Sequence, residues 1–168
     1  MVLNQLGMSK REQGLEIMHH NDSKIFYDEV DRLLNDPKVR GMSSFSQHKG
    51  TNTLRHSIKV AQASFKLAEH LGWDIDEREL ARGALLHDYY QYDIQERGLG
   101  PYRHGTSHPG IAAKNAEADF SLNDKELNII KSHMWPLTLL TPPRSREAVL
   151  VCMADKYIAT KEMVFHRF

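Results

Sequence analysis

The chain has 168 residues, with 22 Lys and Arg against 22 Asp and Glu, so its formal charge is zero. That length is room for one domain around one core, and 40% hydrophobic with 26% charged residues is the balance of a soluble globular protein. Neutrality excludes the whole-chain basic field that drives non-specific nucleic-acid binding, and a single cysteine, Cys152, excludes an internal disulfide framework.

The opening MVLNQLGMSK has no cationic segment leading into an apolar one, so no signal peptide is expected. The longest apolar run, Ala148–Ala154, falls far short of the ~18 residues of a membrane span. A cytoplasmic monomer or small homo-oligomer, with no membrane partner and no sequence-specific nucleic acid, is the expectation. One count departs from the ordinary: the chain has 10 His, as many as Gly.

In chain order, Ile25, Phe26, Val30, Leu33 and Leu34 step at helical spacing over Ser23–Leu34, and Asp36-Pro37 ends that helix. Residues 1–35 are expected to form a helical extension packed on the core, with the main domain over 36–168. Gly41–Asn52 is polar and reads as a flexible stretch. Leu54, Ile58, Ala61, Phe65, Ala68 and Leu71 then mark a long helix over Thr53–Leu71, stopped by Gly72. Asp76 with Glu79 resembles a capping box and opens a helix to about Leu86. Tyr89–Ser107, with Gly98, Gly100, Pro101 and Gly105, reads as a loop. A helix is expected from Ser107 or Pro109 to Phe120, another from Asn123 (boxed with Glu126) to Trp135, and a last one from Pro143 to Met163. No alternating apolar segment is long enough for a strand. About six or seven helices with short connections predict an all-α, single-domain bundle.

The histidines bear on that bundle. His87-Asp88 follows Leu85-Leu86 at a helix end, where the backbone turns and lets an imidazole and a carboxylate reach one ion. A buried Asp needs a cation or hydrogen-bond donors beside it; a satisfied helix-end pair is the plainer reading of His-Asp alone. Asp155 shares an apolar stripe with Ala148, Val151, Ile158 and Ala159, away from the solvated face allotted to Glu147 and Lys161. Its partner is either a metal or a buried Arg or Lys. His56 lies near the start of a helix with an apolar neighbouring face. Four N/O donors from three helices can build a divalent site in a bundle.

The segments RHSIKVA (55–61), ARGALLHDYYQYD (81–93) and VCMADKY (151–157) resemble the HD-domain metal-dependent phosphohydrolases, in particular their small single-domain bacterial members of unassigned substrate. The signature of His, then His-Asp, then a distant Asp is carried by His56, His87, Asp88 and Asp155, and the resemblance covers about residues 40 to 165. It implies an all-α fold in which those residues hold a divalent ion and water attacks a phosphoester or phosphoanhydride. It also implies one or two ions, with Asp88 bridging them and His108 and His133 as further ligands. The plainer reading makes His108 a helix-start residue and His133 a packing partner of Trp135. Mixed imidazole and carboxylate donors suit Mn, Fe, Co, Ni or Zn, with Mg better served by more oxygen.

Gln91 stands where several HD hydrolases carry Glu or Lys, and an amide cannot pass a proton near neutral pH. Asp93 is the candidate substitute as a catalytic residue beside Asp88. The Tyr89-Tyr90-Gln91 run also departs from the Gly-then-Lys pattern of the cyclic-dinucleotide phosphodiesterases of the family. His104, Gln91 and Lys156 are candidate substrate contacts. Gln47, His48 and Lys49 lie in a stretch that could reach a phosphate, with a solvated loop the plainer reading, and Arg144 and Arg146 could bind a substrate anion, with a solvated helix start the plainer reading. Tyr89, Tyr90, Tyr92 and Tyr102 either stack on a base or close over the core. The expected substrate is a small phosphorylated metabolite of the nucleotide type. The alternative is a metal-containing nucleotide-binding or sensor module that has lost turnover.

Overall fold

Phe26, Tyr27, Leu33 and Leu34 turn one face of the first helix into the core, and the element they build is α1 (Lys24–Leu34). In the computed structural model, which describes residues 24–48, 51–92, 98 and 100–165, Phe26 stacks on Phe65 with ring centroids 4.4 Å apart. Burying each such side chain contributes roughly 1.5–3 kcal/mol. Ile25, expected on that stripe, is instead 58% exposed, because the buried arc is centred one residue further on. Most of the expected extension, residues 1–23, lies outside the described residues.

A short helix α2 (Pro37–Gly41) follows, with Pro37 in its first turn and the Asp36 carboxylate accepting from the Lys38 N–H. A 3-10 turn over Met42–Ser44 then leads into a two-stranded antiparallel hairpin, β1 (Ser46–His48) with β2 (Thr51–Asn52). The stretch expected to be flexible is therefore ordered at both ends. Its polar composition hides the strands because both are too short to show alternation.

Helix α3 (Thr53–Leu71) starts where Asn52 accepts the Arg55 N–H and ends at Gly72, whose φ of 61° is the left-handed conformation that favours glycine. Leu54, Ile58, Ala61, Phe65 and Ala68 are buried as expected, while Leu71, at the last turn, is 43% exposed. Helix α4 (Glu77–Leu86) is capped by Asp76, which accepts from the Glu79 N–H. The box is not reciprocal, since the Glu79 carboxylate accepts from Asn123 and Lys125 instead.

Helix α5 (Pro101–Phe120) begins about two turns before its expected start. Pro101 suits the first helical position because its fixed φ is already helical and its missing N–H would be unpaired there. Pro109 sits inside the helix, and the Gly105 position is packed so closely that a Cβ there would lie 2.9 Å from Leu137 Cδ2. Packing overrides the loop-like composition. Tyr89 and Tyr90, each 1% exposed, close over the core, whereas Tyr102 is 71% exposed. Helix α6 (Asp124–Ser132) has the full Asn123–Glu126 capping box, and α7 (Arg146–Phe165) completes the chain's described part.

The seven α-helices of the described residues make the all-α bundle expected, with α4 at its centre. Leu80, Ala81, Ala84, Leu85 and Leu86 of α4 are fully buried, with α1, α3, α6 and α7 packed around them. Two polar networks tie the bundle away from the histidines. Arg82 reaches Glu29, Glu126 and the Phe120 carbonyl. Glu147, expected on a solvated face, is only 3% exposed and accepts from the Asp76 N–H (2.8 Å) and the Lys125 ammonium (2.9 Å).

Burial alone would raise the Glu147 carboxyl, but those two donors outweigh it and hold it below its ordinary 4.5. A depressed carboxyl stabilises the fold above the unfolded value, and that contribution is lost as pH falls through the folded one. Glu147→Gln is therefore expected to lower the urea midpoint at neutral pH and to approach wild type in acid, once pH has fallen through the depressed folded-state value. Urea titrations at neutral and at acid pH check this, and an unchanged gap would refute it.

Candidate metal centre

His87 and His133 occupy equivalent places, each as the residue that closes a helix, α4 and α6 respectively. Carbonyls in a last helical turn have no intrahelical donor. The His87 Nδ1–H accordingly donates to Ala84 O at 2.8 Å and the His133 Nδ1–H to Ile130 O at 2.7 Å. In α5 the His108 Nδ1–H donates to His104 O at 2.9 Å. A carbonyl oxygen only accepts, so in all three rings Nδ1 carries a proton and Nε2 faces inward. His56, in the first turn of α3, has its Nδ1 2.9 Å from Glu162 Oε2.

Asp88 stands between the four rings. Its Oδ2 lies 3.4 Å from His87 Nε2 and 3.9 Å from His56 Nε2. Its Oδ1 lies 3.2 Å from His108 Nε2 and 3.7 Å from His133 Nε2. Asp155 Oδ1 is 3.0 Å from His56 Nε2 and 3.7 Å from His87 Nε2. The donors thus form two triads, His56–His87–Asp88 and Asp88–His108–His133, in each of which the ligand atoms lie within 4.8 Å of one another. Asp88 belongs to both. All six side chains are buried, with Asp155 the most exposed at 7%.

The cluster draws positive charge toward itself. Burial opposes a charge on His56, yet its contacts with Asp155 and Glu162 raise it to about 9. Burial also opposes a charge on His87, and Asp88, then Asp155, lift it to about 10. Burial would raise both aspartates, but His87 with His108 holds Asp88 well below the usual carboxylate range, and His56 with His87 does the same to Asp155. His133 goes the other way: burial, then the neighbouring His108 and His87, push it down to about 3, so it keeps its lone pair.

Two observations show that these residues fit a divalent cation. His87 Nε2 and Asp88 Oδ1 are buried polar atoms that make no hydrogen bond, a costly arrangement unless a cation lies against them. In addition, His108 Nε2 and His133 Nε2 face each other at 2.8 Å, although each ring carries its proton on the far nitrogen. Two opposed lone pairs at that distance require a proton or a metal ion between them. Imidazole with carboxylate is the donor set of first-row transition metals.

The other expected site residues divide. His104 joins the cluster, stacked on His108 at 4.5 Å with its Nδ1 3.1 Å from the Tyr92 hydroxyl. Gln91 does not. Its backbone has φ 58° and its side chain donates to Lys38 O, which turns it toward α2. The Lys156 ammonium donates to the His133 and Cys152 carbonyls (2.9 and 3.2 Å), so it neutralises the end of α6 instead of facing the cluster. Arg146 donates to Asp74 O. Asp93, His48's side chain, Lys49 and His166 lie outside what is described.

Two further residues join the cluster: Gln47, for which a solvated loop is the plainer sequence reading, and Glu162, which the sequence reading leaves out. Gln47, placed by β1, donates to Asp88 Oδ2 at 2.6 Å and accepts from Tyr90, so the stretch expected to be a solvated loop roofs the cluster. No periodic signal marks it. Glu162 does carry a signal: seven residues beyond Asp155, it lies two turns further along the same face of α7.

The HD domain family model matches residues 53–160, and the chain belongs to that family. Among curated proteins it is similar to Ribonuclease Y of Pseudothermotoga lettingae, 35% identical over 125 residues, which are 74% of this chain and 22% of that protein. Ribonuclease Y of Thermotoga maritima is 33% identical over 124 residues, 74% of this chain and 22% of that protein. That of Mycoplasma capricolum is 28% identical over 160 residues, 92% of this chain and 28% of that protein. The chain therefore spans only 22% to 28% of the length of these relatives. No solved structure gives a significant match. Among the described residues, no helix is long and apolar enough to cross a membrane.

Proposed function

We propose that the chain hydrolyses a phosphoester or phosphoanhydride of a small phosphorylated metabolite, a nucleotide in class. His56, His87, Asp88 and Asp155 would hold one divalent cation, and Asp88, His108 and His133 a second. The observation that carries this reading is the pair of imidazole Nε2 atoms facing each other at 2.8 Å beside an unpartnered Asp88 oxygen. A divalent cation in such a site supplies Lewis-acid polarisation of a phosphoryl oxygen and lowers the pKa of water.

The chain's own groups supply the rest. Asp88 offers one oxygen to each triad and so fixes the spacing between them. Backbone carbonyls hold three of the four rings, so they present Nε2 without reorganisation. His104, stacked on His108 and bonded to Tyr92, is the group positioned to give a proton to the leaving oxygen. Gln91, turned toward Lys38, has no part in that transfer.

A second reading, cleavage of an RNA phosphodiester, is favoured by the relatives named Ribonuclease Y. The burial of all six cluster side chains beneath Gln47 and Tyr90 favours the small substrate. A panel of nucleoside mono- and triphosphates, cyclic nucleotides and a short oligoribonucleotide, each with Mn²⁺, Co²⁺ or Ni²⁺, separates the two. Turnover confined to the small phosphates is the expected result. Turnover confined to the oligoribonucleotide establishes the second reading. Stoichiometric metal and bound nucleotide without turnover identify a sensor module.

A further inference from the structure

Three of the four inward-facing imidazoles are held by carbonyls three or four residues earlier in their own helix. His56 differs. It sits in the first turn of α3, where nearby carbonyls are already committed to the helix, and its Nδ1 partner comes from the last turn of α7. That partner is Glu162, with Oε2 2.9 Å from His56 Nδ1 and Oε1 2.9 Å from the Lys59 ammonium. Glu162 is only 5% exposed, and it lies beyond the stretch matched by the family model.

We propose that Glu162 is a positioning residue that makes the His56–His87–Asp88–Asp155 end of the cluster the tighter of two cation positions. The inference rests on the metal-dependent reading above. A carboxylate behind a ligating imidazole fixes the ring and makes its outward nitrogen a stronger donor than a carbonyl does. Lys59 pins the other carboxylate oxygen, so Glu162 cannot rotate away from the ring without breaking an ion pair. The charges point the same way. The first end combines Asp88 and Asp155 with a carboxylate-backed ring, whereas the second has two carbonyl-backed rings and only the shared Asp88.

The test is calorimetric titration of the metal-stripped full chain with Mn²⁺ alone, for wild type, Glu162→Met and Glu162→Gln, with circular dichroism as the check on folding. Wild type is expected to show a tighter and a weaker class of site. Glu162→Met, which keeps side-chain bulk but offers no acceptor, is expected to weaken the tighter class about 10- to 100-fold and leave the weaker class in place. Glu162→Gln, whose amide oxygen still accepts from Nδ1–H, is expected to recover most of that loss. A general structural role would weaken both classes together, and that outcome overturns the proposal. So does an unchanged tighter class in the variants while wild type binds Mn²⁺. A wild type that takes up no Mn²⁺ overturns this proposal and the functional reading beneath it. If Glu162→Met fails to fold, Glu162→Gln decides alone: a several-fold weaker tighter class supports the assignment, and an unmoved one overturns it.

Discussion

Asp88→Asn is expected to lose both cations at once and to lower turnover by more than about 10³-fold, beyond the usual cost of removing one transition-state donor. Asp88 is the one residue common to both triads, with Oδ2 turned to His56 and His87 and Oδ1 turned to His108 and His133. An amide keeps the volume but removes the charge, and whichever way it is turned it sets an NH₂ group in the place of one ligating oxygen. The measurement separates binding from chemistry. With Mn²⁺ at about a hundred times the Kd of the tighter site, linkage at that site alone adds about 2.7 kcal/mol to wild-type stability, or roughly 5–11 °C in Tm for a domain of this size. Asp88→Asn should lose that rise together with its Mn²⁺ content. A variant that retains two Mn²⁺ per chain and the wild-type rise in Tm would show that Asp88 is not the shared ligand.

Much of this centre is legible in the order of residues along the chain, and the parts that are not have physical causes. His56, His87, Asp88 and Asp155 are readable because each sits at the edge of an apolar stripe, where a charge needs a partner, and because the family pattern joins them. His108 and His133 are harder. His133 reads as a helix-end residue, which it is, and its role depends on a ring 25 residues away. Helix α5 is misread at its start because Gly and Pro density signals a loop, while Leu137 packs against Gly105 and Pro101 suits a first helical position. Lys156 and Gln91 show the opposite error. Both have chemistry suited to a phosphate, but one side chain is drawn to the end of α6 and the other to Lys38. Residue type and position along the chain do not fix where a long side chain points. Glu162 is the recoverable omission, since a second carboxylate two turns along the Asp155 face meets the same buried surroundings.

Gly83→Ala is expected to impair the centre more than its modest change in bulk suggests. In an exposed helix interior, replacing Gly with Ala gains roughly 0.5–1 kcal/mol. Here the new Cβ would lie 2.6 Å from Ile129 Cγ2 and 2.8 Å from Ile129 Cβ. The second of these is anchored to the backbone, so a rotamer change cannot relieve it and α4 must move away from α6. Overpacking of this kind costs about 1–3 kcal/mol, more than the helix propensity returns. A drop of roughly 2–8 °C in Tm follows. The contact also lies one turn before the proposed ligands on both helices: Gly83 precedes His87 by four residues, and Ile129 precedes His133 by four. The His87 and His133 rings are 4.8 Å apart, so parting the helices at the glycine parts the two imidazoles. A displacement near 1 Å at a reacting centre costs about 10²-fold, so turnover should fall far more steeply than stability. Ile129→Ala removes the opposing atoms, and a double-mutant cycle reads the coupling: adding it to Gly83→Ala should cost less than adding it to wild type, by at least about 0.5 kcal/mol. Strict additivity of the two changes would show that the close approach of α4 and α6 at this point does not set the geometry of the metal centre.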